Sequence, residues 1–396
     1  MGKIKIQLLI SLVIISTFCF GQSVNDYLEV IKKKGDNPIN FVQKKLETHD
    51  LILFDDGLHS AYEPFQFYIE LINAPDTKLD YIFIEVLGIN VQSDIDAYLG
   101  SETKDKKLLL HVFQDDFSGF GWRYETYLDL LSAIWDYNHS QPDEEKKIKV
   151  IGVDQPVYWE GIHNRQDYDV FLRSHIARDY FMYKIIVNQM DYFKSGKKGI
   201  YLSNTRHIYK NIRNLEGFPY WNCGTFFYNW HPDKTYAIRI HNVMLSFESV
   251  DKEKKSITAE GLDNLTYSWI KLENGIWDKA FELNQNHPVA IPLKDNPFGK
   301  AKYVGNYMLN ADKNQIMYDA YDALIFLAPL NKLHFSAKMN FFYTDEFKQE
   351  SKRRIKIIYG ENLESFLKDN DATTIDDYID NLTKYHPRVK NELLNE

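Results

Sequence analysis

Apolar and polar positions along the chain fall into two alternating patterns. Short continuous apolar runs rich in β-branched residues are typical of strands that are buried on both faces. They alternate with longer stretches whose apolar residues recur at helical spacing, which predicts an α/β fold with a mostly parallel central sheet and helices on both faces. The predicted strands are 51–54, 81–86, 148–153, 199–203, 236–245, 287–292 and 322–328.

The two ends of the chain add further helical patterns. Residues 24–50 predict two short helices that Gly35 and Pro38 interrupt, and the last fifty residues are charged and helical. No linker rich in proline, glycine or serine divides the sequence. We therefore predict a single α/β hydrolase-like domain over residues 22–396, with its core at about 50–330 and a C-terminal helical part at 345–396.

The first 21 residues have the pattern of a signal peptide. Lys3 and Lys5 precede an apolar run that ends at Cys19 and Gly21, and small side chains at these two positions suit cleavage before Gln22. A retained membrane anchor is the weaker alternative, because the run is short for a bilayer and no stop-transfer charges follow. The sequence therefore predicts export to the periplasm or beyond, without a stable membrane span in the mature chain.

Charge and cysteine content exclude several classes of partner. The chain has 47 Lys and Arg against 56 Asp and Glu, a formal net charge of −9, and no basic block with interleaved aromatics. A nucleic-acid backbone would meet net repulsion, so we expect no nucleic-acid partner. Only Cys223 remains after cleavage, so neither an intramolecular disulfide nor a thiolate metal site can form.

Polar side chains follow the predicted strands where each strand ends. In open parallel sheets, ligands bind in the crevice beyond the carboxyl ends of the strands. Residues from several strands would therefore meet at one edge of this sheet. These residues are Asp55, Asp56 and His59 after the first strand, then Glu85, Asp154, Asn204, His207 and His241.

The first of these loops carries the strongest chemical signal. Asp56, His59 and Glu63 are three and four residues apart, so a helix that began near Asp56 would present all three on one face. Carboxylates beside an imidazole raise its proton affinity and fix its tautomer, as a general base requires. An ordinary helix N-terminus also explains Asp56, but it does not explain Glu63 or the carboxylate of Glu85 inside an apolar strand.

Other candidates also have structural explanations. Asp154 could cap the next segment, His241 could be a packed strand histidine, and Arg178 with Asp179 looks like a pair on a helix face. The sequence contains no GxSxG, HExxH or GxxxxGK motif. What remains is a site of histidines and carboxylates, which either activates water directly without a cofactor or binds a divalent metal.

At these residues the chain resembles the erythromycin esterase family, within a wider group that includes ChaN-like haem-binding proteins and TIKI/TraB-type proteases. The family's GExxH motif and a glutamate four residues later are matched by "DDGLHSAYE", in which Asp55 and Asp56 replace Gly and Glu. The order of motifs holds from about residue 50 to 330. The other matches are Glu85, the Gly152 to Asp154 element, Arg178, Asp179 and Met182 for RDxxM, and "SNTRH" for AHNxH, in which Asn204 replaces the first histidine and His207 keeps the last.

The resemblance implies an exported hydrolase of an ester, a lactone or an amide, acting on a small molecule or a peptide. His59 would activate water, with Asp56, Glu63 and Glu85 orienting it and His207 assisting at the substrate carbonyl. We also expect Asp154, Asn204 and His241 to bind substrate. Two alternatives stay open: a metal-dependent peptidase with His59, Glu85 and His207 as ligands, and a non-catalytic protein that binds haem or another apolar ligand.

Overall fold

The computed structural model describes residues 22–174, 177–249, 265–303, 311–312 and 314–395. A sheet of seven strands, in the order β3-β2-β4-β1-β5-β9-β8, forms the centre of the molecule. Two small antiparallel sheets, β6 with β7 and β10 with β11, lie outside it. The strands are β1 (Leu51–Asp55), β2 (Tyr81–Gly88), β3 (Lys149–Asp154), β4 (Gly199–Ser203), β5 (Thr235–Ile240), β6 (Met244–Ser249), β7 (Leu265–Ile270), β8 (Val289–Pro292), β9 (Ala323–Phe326), β10 (His334–Phe335) and β11 (Val389–Lys390).

Helices connect the strands and extend the chain at both ends. They are α1 (Val24–Lys34), α2 (Pro38–Thr48), α3 (Glu63–Asn73), α4 (Gln92–Gly100), α5 (Leu110–Gln114), α6 (Glu125–Ser140), α7 (Arg165–Ser174), α8 (Arg178–Gln189), α9 (Thr205–Ile208), α10 (Cys223–Trp230), α11 (Ile276–Leu283), α12 (Pro297–Lys300), α13 (Met317–Ala320), α14 (Asp345–Tyr359), α15 (Leu363–Asp369) and α16 (Ile375–Thr383).

The sheet is covered on both faces, because its central strands are apolar on both faces. In β1, Ile52 and Phe54 belong to a core with α2, α3 and α6, whereas Leu51 and Leu53 belong to a second core with α1, α8, α10 and α11. This alternation follows from the two-residue period of a strand. The α/β class and the mostly parallel sheet are therefore confirmed, and only β8 pairs in the antiparallel sense.

The parallel register brings the carboxyl ends of five strands to one edge. β1 pairs with β4 and β5, and β2 pairs with β3 and β4, so that the end of β1 at Asp55 lies opposite Ser203 of β4. At the end of β2 the register with β3 shifts by a bulge between Ile84 and Gly88. That bulge lies next to Glu85, so the local geometry of this carboxylate depends on an irregular stretch of backbone.

Two expected elements differ from the structure. The run 236–245 is not one strand, because β5 ends at Ile240 and a new strand begins at Met244. The helix expected from Asp56 begins only at Glu63, and Asp56 to Tyr62 form a loop in which Gly57 has a φ of +72°. A left-handed glycine at this point turns the chain away from a helical path.

Residues 1–21, on which the signal-peptide prediction rests, lie outside the described residues. Within the described ranges, no helix is long and apolar enough to cross a bilayer. The single-domain prediction stays a prediction. Contacts between Tyr27 of α1 and Phe298 of α12, with ring centroids 4.8 Å apart, join the first described helix to the core.

Candidate functional site

A row of alternating carboxylates and imidazoles lies at the carboxyl edge of the sheet. Each neighbour in the row is within 3.3 Å of the next, measured between a carboxylate oxygen and a ring nitrogen. The five members come from β2, from α8 and from the loops or helices that follow β1 and β4. In order they are Asp56, His59, Glu85, His207 and Asp179.

His59 occupies the position where this row meets solvent. Its Nδ1 lies 3.3 Å from Oδ2 of Asp56 and 3.2 Å from the hydroxyl of Tyr127. Its Nε2 lies 3.0 Å from Oε2 of Glu85 and 2.8 Å from Nδ2 of Asn204. Burial opposes a charge on this ring, but the carboxylates of Asp56 and Glu85 outweigh it and raise the pKa of His59 to about 10.

The two contacts at Nε2 require opposite protonation states. Oδ1 of Asn204 accepts a hydrogen bond from the backbone N–H of Arg206, which orients the amide so that Nδ2 donates toward His59. That donation suits an unprotonated Nε2, whereas the carboxylate of Glu85 suits a protonated one. The two contacts at Nε2 therefore cannot both be satisfied in one protonation state of the ring.

Asp56 is the buried partner of the imidazole. It is 1% exposed, and its Oδ1 has no hydrogen-bond partner among the described residues. Burial raises the pKa of this carboxyl to about 6, although the charge on His59 opposes the rise. The Asp56 carboxyl is therefore a stronger proton acceptor than an exposed aspartate.

Glu85 joins the two imidazoles and also binds a guanidinium. Nη2 of Arg178 lies 2.6 Å from Oε1 of Glu85, and the same guanidinium binds Asp154 through two bonds of 2.7 Å. Burial would raise the pKa of Glu85, but the charges on His207, His59 and Arg178 together hold it well below its usual range. Glu85 is therefore ionised at neutral pH.

His207 lies behind Glu85 rather than at the surface. Its Nδ1 is 2.8 Å from Oδ1 of Asp179, its Nε2 is 3.3 Å from Oε1 of Glu85, and the residue is 5% exposed. The backbone N–H of Cys223 also donates to Oδ1 of Asp179. These contacts fix the ring of His207, so it can position Glu85 but does not reach the open cavity beside His59.

A cavity of about 250 Å³ opens beside His59. Its walls include the aromatic side chains of Trp122, Tyr124 and Trp269, and the His59 ring meets the Trp122 ring edge to face at 5.1 Å. The cavity is smaller than the roughly 300 to 1,000 Å³ typical of sites for drug-sized ligands. It therefore suits a small molecule or one end of a larger one.

Three of the expected site residues belong neither to the row of carboxylates and imidazoles nor to the lining of this cavity. Glu63 binds the backbone N–H and the ring Nδ1 of His334, at 3.0 and 2.8 Å, and makes no contact with His59. The ring of His241 is 1% exposed, lies among aromatic rings of the second core, and pairs with Asp278 at 3.0 Å. Asp154 is 3% exposed and holds Arg178 instead of lining the cavity, whereas Asn204 does line it.

Several residues of this site have only weak signals in the sequence. The sequence predicts a pair on a helix face for Arg178 and Asp179, yet they separately bind Glu85 and His207. Tyr127 was not singled out because an aromatic residue in an amphipathic helix predicts only core packing. Unlike Tyr127, Arg239 can be recognised from the sequence. Like Glu85, it is a charged side chain within an apolar strand, here β5, and such a side chain needs a buried partner.

The fold and the site together define an α/β protein with a buried histidine and carboxylate cluster at the carboxyl edge of a mostly parallel sheet. No protein-family profile and no curated protein matches the sequence. A search of solved structures finds a succinoglycan biosynthesis protein, with a TM-score of 0.53 and 11% identity over 78% of this chain and 98% of that chain. At this identity the match shows a shared fold.

The same search finds two further structures with lower TM-scores. One is the erythromycin esterase EreC, with a TM-score of 0.49 and 11% identity, covering 77% of this chain and 95% of that chain. The other is the haem-binding ChaN of Campylobacter jejuni, with a TM-score of 0.30 and 12% identity, covering 58% of this chain and 91% of that chain. Neither reaches a TM-score of 0.5, so we derive no residue role from them.

Proposed function

We propose that this protein is an exported hydrolase that cleaves a small ester, lactone or amide with water activated at His59. One observation carries the proposal: the imidazole of His59 faces a cavity while Asp56 and Glu85 hold its two nitrogens at 3.3 and 3.0 Å. A general base needs this combination of substrate access and a fixed ring. The surrounding carboxylates also stabilise the imidazolium that forms when the base takes a proton.

The proposed base works at Nε2, next to the cavity. In the active form the ring keeps its proton on Nδ1, facing Asp56, and Nε2 receives the proton of the attacking water. Asn204 already donates to Nε2 at 2.8 Å, so the water must replace this amide contact. Glu85 then accepts a hydrogen bond from the newly protonated Nε2, while Arg178 and His207 keep that carboxylate ionised and in place. The water oxygen bonds to the carbonyl carbon, and when the bond to the leaving oxygen or nitrogen breaks, the proton on Nε2 is transferred to that leaving group.

Substitution of His59 tests the proposal directly. A panel of ester, lactone and peptide substrates is screened with wild type and with His59→Ala, and we expect turnover to fall about a hundredfold to ten-thousandfold. The matched control is His334→Ala, because His334 is also a partly buried histidine paired with a carboxylate, that of Glu63, at 2.8 Å. Equal turnover by wild type and His59→Ala would contradict the proposal.

A metal-dependent peptidase is less well supported. Among the described residues, no group of three or more histidine, cysteine or acidic side chains has the geometry of a metal site. Nη1 of Arg178 lies 3.3 Å from Nε2 of His207, so a positive charge already occupies the space beside the expected ligands. The expected set of His59, Glu85 and His207 therefore does not fit a divalent cation, and elemental analysis with EDTA treatment checks this.

Binding of an apolar ligand without catalysis is supported by one observation, the aromatic walls of the cavity. The volume of about 250 Å³ and the engagement of both ring nitrogens of His59 disfavour haem with an axial histidine. A Soret band that appears on titration with micromolar haem would support this alternative. Hydrolysis of a panel substrate that depends on His59 would exclude a purely binding role.

Export is part of the proposal and rests on residues 1–21. Lys3 and Lys5, the apolar run and the small residues at Cys19 and Gly21 support it. Expression of the full chain in a Gram-negative host, followed by fractionation and N-terminal mass analysis, tests it. We expect a periplasmic protein that begins at Gln22, and an uncleaved cytoplasmic chain would contradict the expectation.

A further inference from the structure

A buried arginine forms part of the wall of the same cavity. Arg239 lies in β5 and is 1% exposed. Its Nη1 donates to Oδ2 of Asp55 at 2.8 Å, and also approaches Oγ1 of Thr205 at 3.2 Å and the hydroxyl of Tyr321 at 3.4 Å. Tyr321 and Thr205 in turn donate to the two oxygens of Asp55. One end of the guanidinium is therefore fixed by a complete hydrogen-bond network.

The other edge of the guanidinium has no such partners. Nε of Arg239 is buried and makes no hydrogen bond to any described residue, and all the bonds described for this side chain leave from Nη1. A buried donor without an acceptor is costly and rare in native proteins. Nε and Nη2 form the edge that binds a carboxylate through two parallel hydrogen bonds. On the edge that is best suited to a planar anion, Nε thus has no acceptor among the described residues.

Space in front of this edge is provided by Gly57. A Cβ atom on Gly57 would lie 3.9 Å from Nη2 of Arg239, and both residues line the cavity beside His59. Of the described residues that line this cavity, His59 and Arg239 are the ones with a cationic side chain, and no Asp or Glu is among them. The cavity therefore presents two cationic groups, while the carboxylates that balance them lie behind.

We propose that the Nε and Nη2 edge of Arg239 binds a carboxylate of the ligand that occupies the His59 cavity. This inference rests on the proposed hydrolase function. It specifies the substrate as a small ester, lactone or amide that carries a free carboxylate. Trp122, Tyr124 and Trp269 form apolar walls that suit one ring attached to this acid group. The carboxylate would orient the scissile carbonyl toward Nε2 of His59.

Binding of benzoate, compared with benzamide, tests the inference without any turnover. The two probes have nearly the same shape, but only benzoate is an anion with two equivalent acceptor oxygens. In calorimetric titrations of wild type at pH 7 we expect benzoate to bind at least about tenfold more tightly, since hydrogen bonds to charged groups are the stronger ones. Equal affinity for the two probes, or no binding of benzoate at millimolar concentration, would overturn the inference.

Two variants connect this binding to Arg239. Gly57→Ala places a methyl group 3.9 Å from Nη2 of Arg239 and 3.2 Å from Cβ of Asn242, and it retains both charged members of the Asp55 pair, so we expect benzoate affinity to fall about tenfold or more. Gly217→Ala is the matched control, because Gly217 also has a left-handed φ, +86°, but has open space around its Cβ position. Benzoate binding that is unchanged in Gly57→Ala would count against the inference.

The double variant Asp55→Asn/Arg239→Gln removes both buried charges together, which avoids leaving one of them unpaired. A folded double variant should lose the preference for benzoate over benzamide, and a retained preference would overturn the assignment to Arg239. Failure of the proposed hydrolysis gives a different result. Benzoate would then still bind in an Arg239-dependent way, while His59→Ala would leave any turnover unchanged.

Discussion

At the scale of single residues, the behaviour of His59 follows from the two carboxylates beside it. Asp56 and Glu85 raise its pKa to about 10, so the imidazolium is the resting form at neutral pH. A base must first lose this proton, and the rate of a base-dependent reaction therefore rises with pH. We expect kcat/KM of an active substrate to increase from neutral pH toward an inflection near 10, as a pH profile with a neutral substrate measures.

Removal of one carboxylate should shift that profile. Asp56→Asn deletes one of the charges that stabilise the imidazolium, so the pKa of His59 falls and the inflection moves to lower pH. The isosteric amide keeps a polar contact with Nδ1, which separates the loss of charge from a loss of packing. An inflection that stays in place in Asp56→Asn would show that a different group controls the profile.

The same pKa shift has a consequence for stability. The pKa of His59 is higher in the folded state than in the unfolded state, where it is about 6.5. Its contribution to the free energy of unfolding is therefore fully present below about pH 6.5 and is lost as the pH rises through about 10. Urea unfolding of wild type and His59→Gln should differ most at pH 6 and converge toward pH 10.

Arg178 is the residue whose loss should destabilise the site most. It pairs with Glu85 and Asp154, which are 2% and 3% exposed, so Arg178→Gln removes the guanidinium that binds Asp154 and leaves Glu85 with only the two imidazoles. Breaking such a pair costs about 3 to 5 kcal/mol. Lys33→Gln is the control, because its ion pair with Glu29 is exposed and worth about 1 kcal/mol or less. Similar unfolding free energies for the two variants would contradict this account.

At the scale of elements, the bulge of β2 sets the position of Glu85. Gly152 of β3 lies against it, and a Cβ atom there would be 2.8 Å from the carbonyl oxygens of Leu87 and Gly88. Because these contacts are with backbone, Gly152→Ala must displace one of the two strands. We expect a loss of about 1 to 3 kcal/mol in stability, together with reduced activity, as measured by urea unfolding and kinetics.

Gly100→Ala is the control for this variant. Gly100 ends α4, and its Cβ position has no neighbour within 4 Å. The substitution should therefore change the unfolding free energy by about 0.5 kcal/mol or less, apart from a small gain through reduced freedom of the unfolded chain. If Gly152→Ala proved as harmless as Gly100→Ala, the bulge would not constrain Glu85.

Elements were predictable from sequence where local pattern alone determines them. The apolar runs of β1 to β4 gave the strands nearly residue by residue, because strands buried on both faces are continuous in apolar residues. The start of α3 was misplaced by several residues, because the loop before it is fixed by distant contacts. Ala61 forms an antiparallel bridge with Phe335, and His334 binds the carboxylate of Glu63. No local pattern contains these partners.

The site was predictable in part for the same reason. Strand-end positions placed His59, Glu85 and His207 at one edge of the sheet, since parallel strands bring their carboxyl ends together. Side-chain direction was not predictable for His241, which directly follows β5 and packs its ring near Phe281 and Phe326 of the second core. A position at the end of a strand therefore predicts which edge of the sheet a residue lies at, but not which face of the sheet its side chain points to.

At the scale of the whole molecule, the C-terminal helix α14 packs against earlier parts of the chain. Arg354 of α14 is 3% exposed, lies 2.7 Å from Asp115 and stacks over the Trp159 ring at 4.8 Å. Phe347 of the same helix packs against Phe342 with ring centroids 5.3 Å apart. We expect the full chain to unfold in one cooperative transition, seen at the same temperature by circular dichroism and tryptophan fluorescence.

A shortened chain provides the complementary test. Truncation after Thr344 removes Arg354 and leaves the carboxylate of Asp115 without this partner, while Phe342 loses its cover. The truncated protein should therefore melt at a lower temperature than the full chain or fail to accumulate in soluble form. A truncated chain with an unchanged melting temperature would show that residues 345–396 are an independent appendage.

The network of Asp55, Thr205, Arg239 and Tyr321 ties together four stretches of chain that are far apart in sequence. The part of the cavity wall that Arg239 forms therefore exists only when all four stretches have assembled. A ligand bound to Arg239 stabilises this assembled state relative to every partly opened state. A bound acid should consequently slow amide hydrogen exchange in β1, β5 and β9 together, including at amides that lie out of its reach.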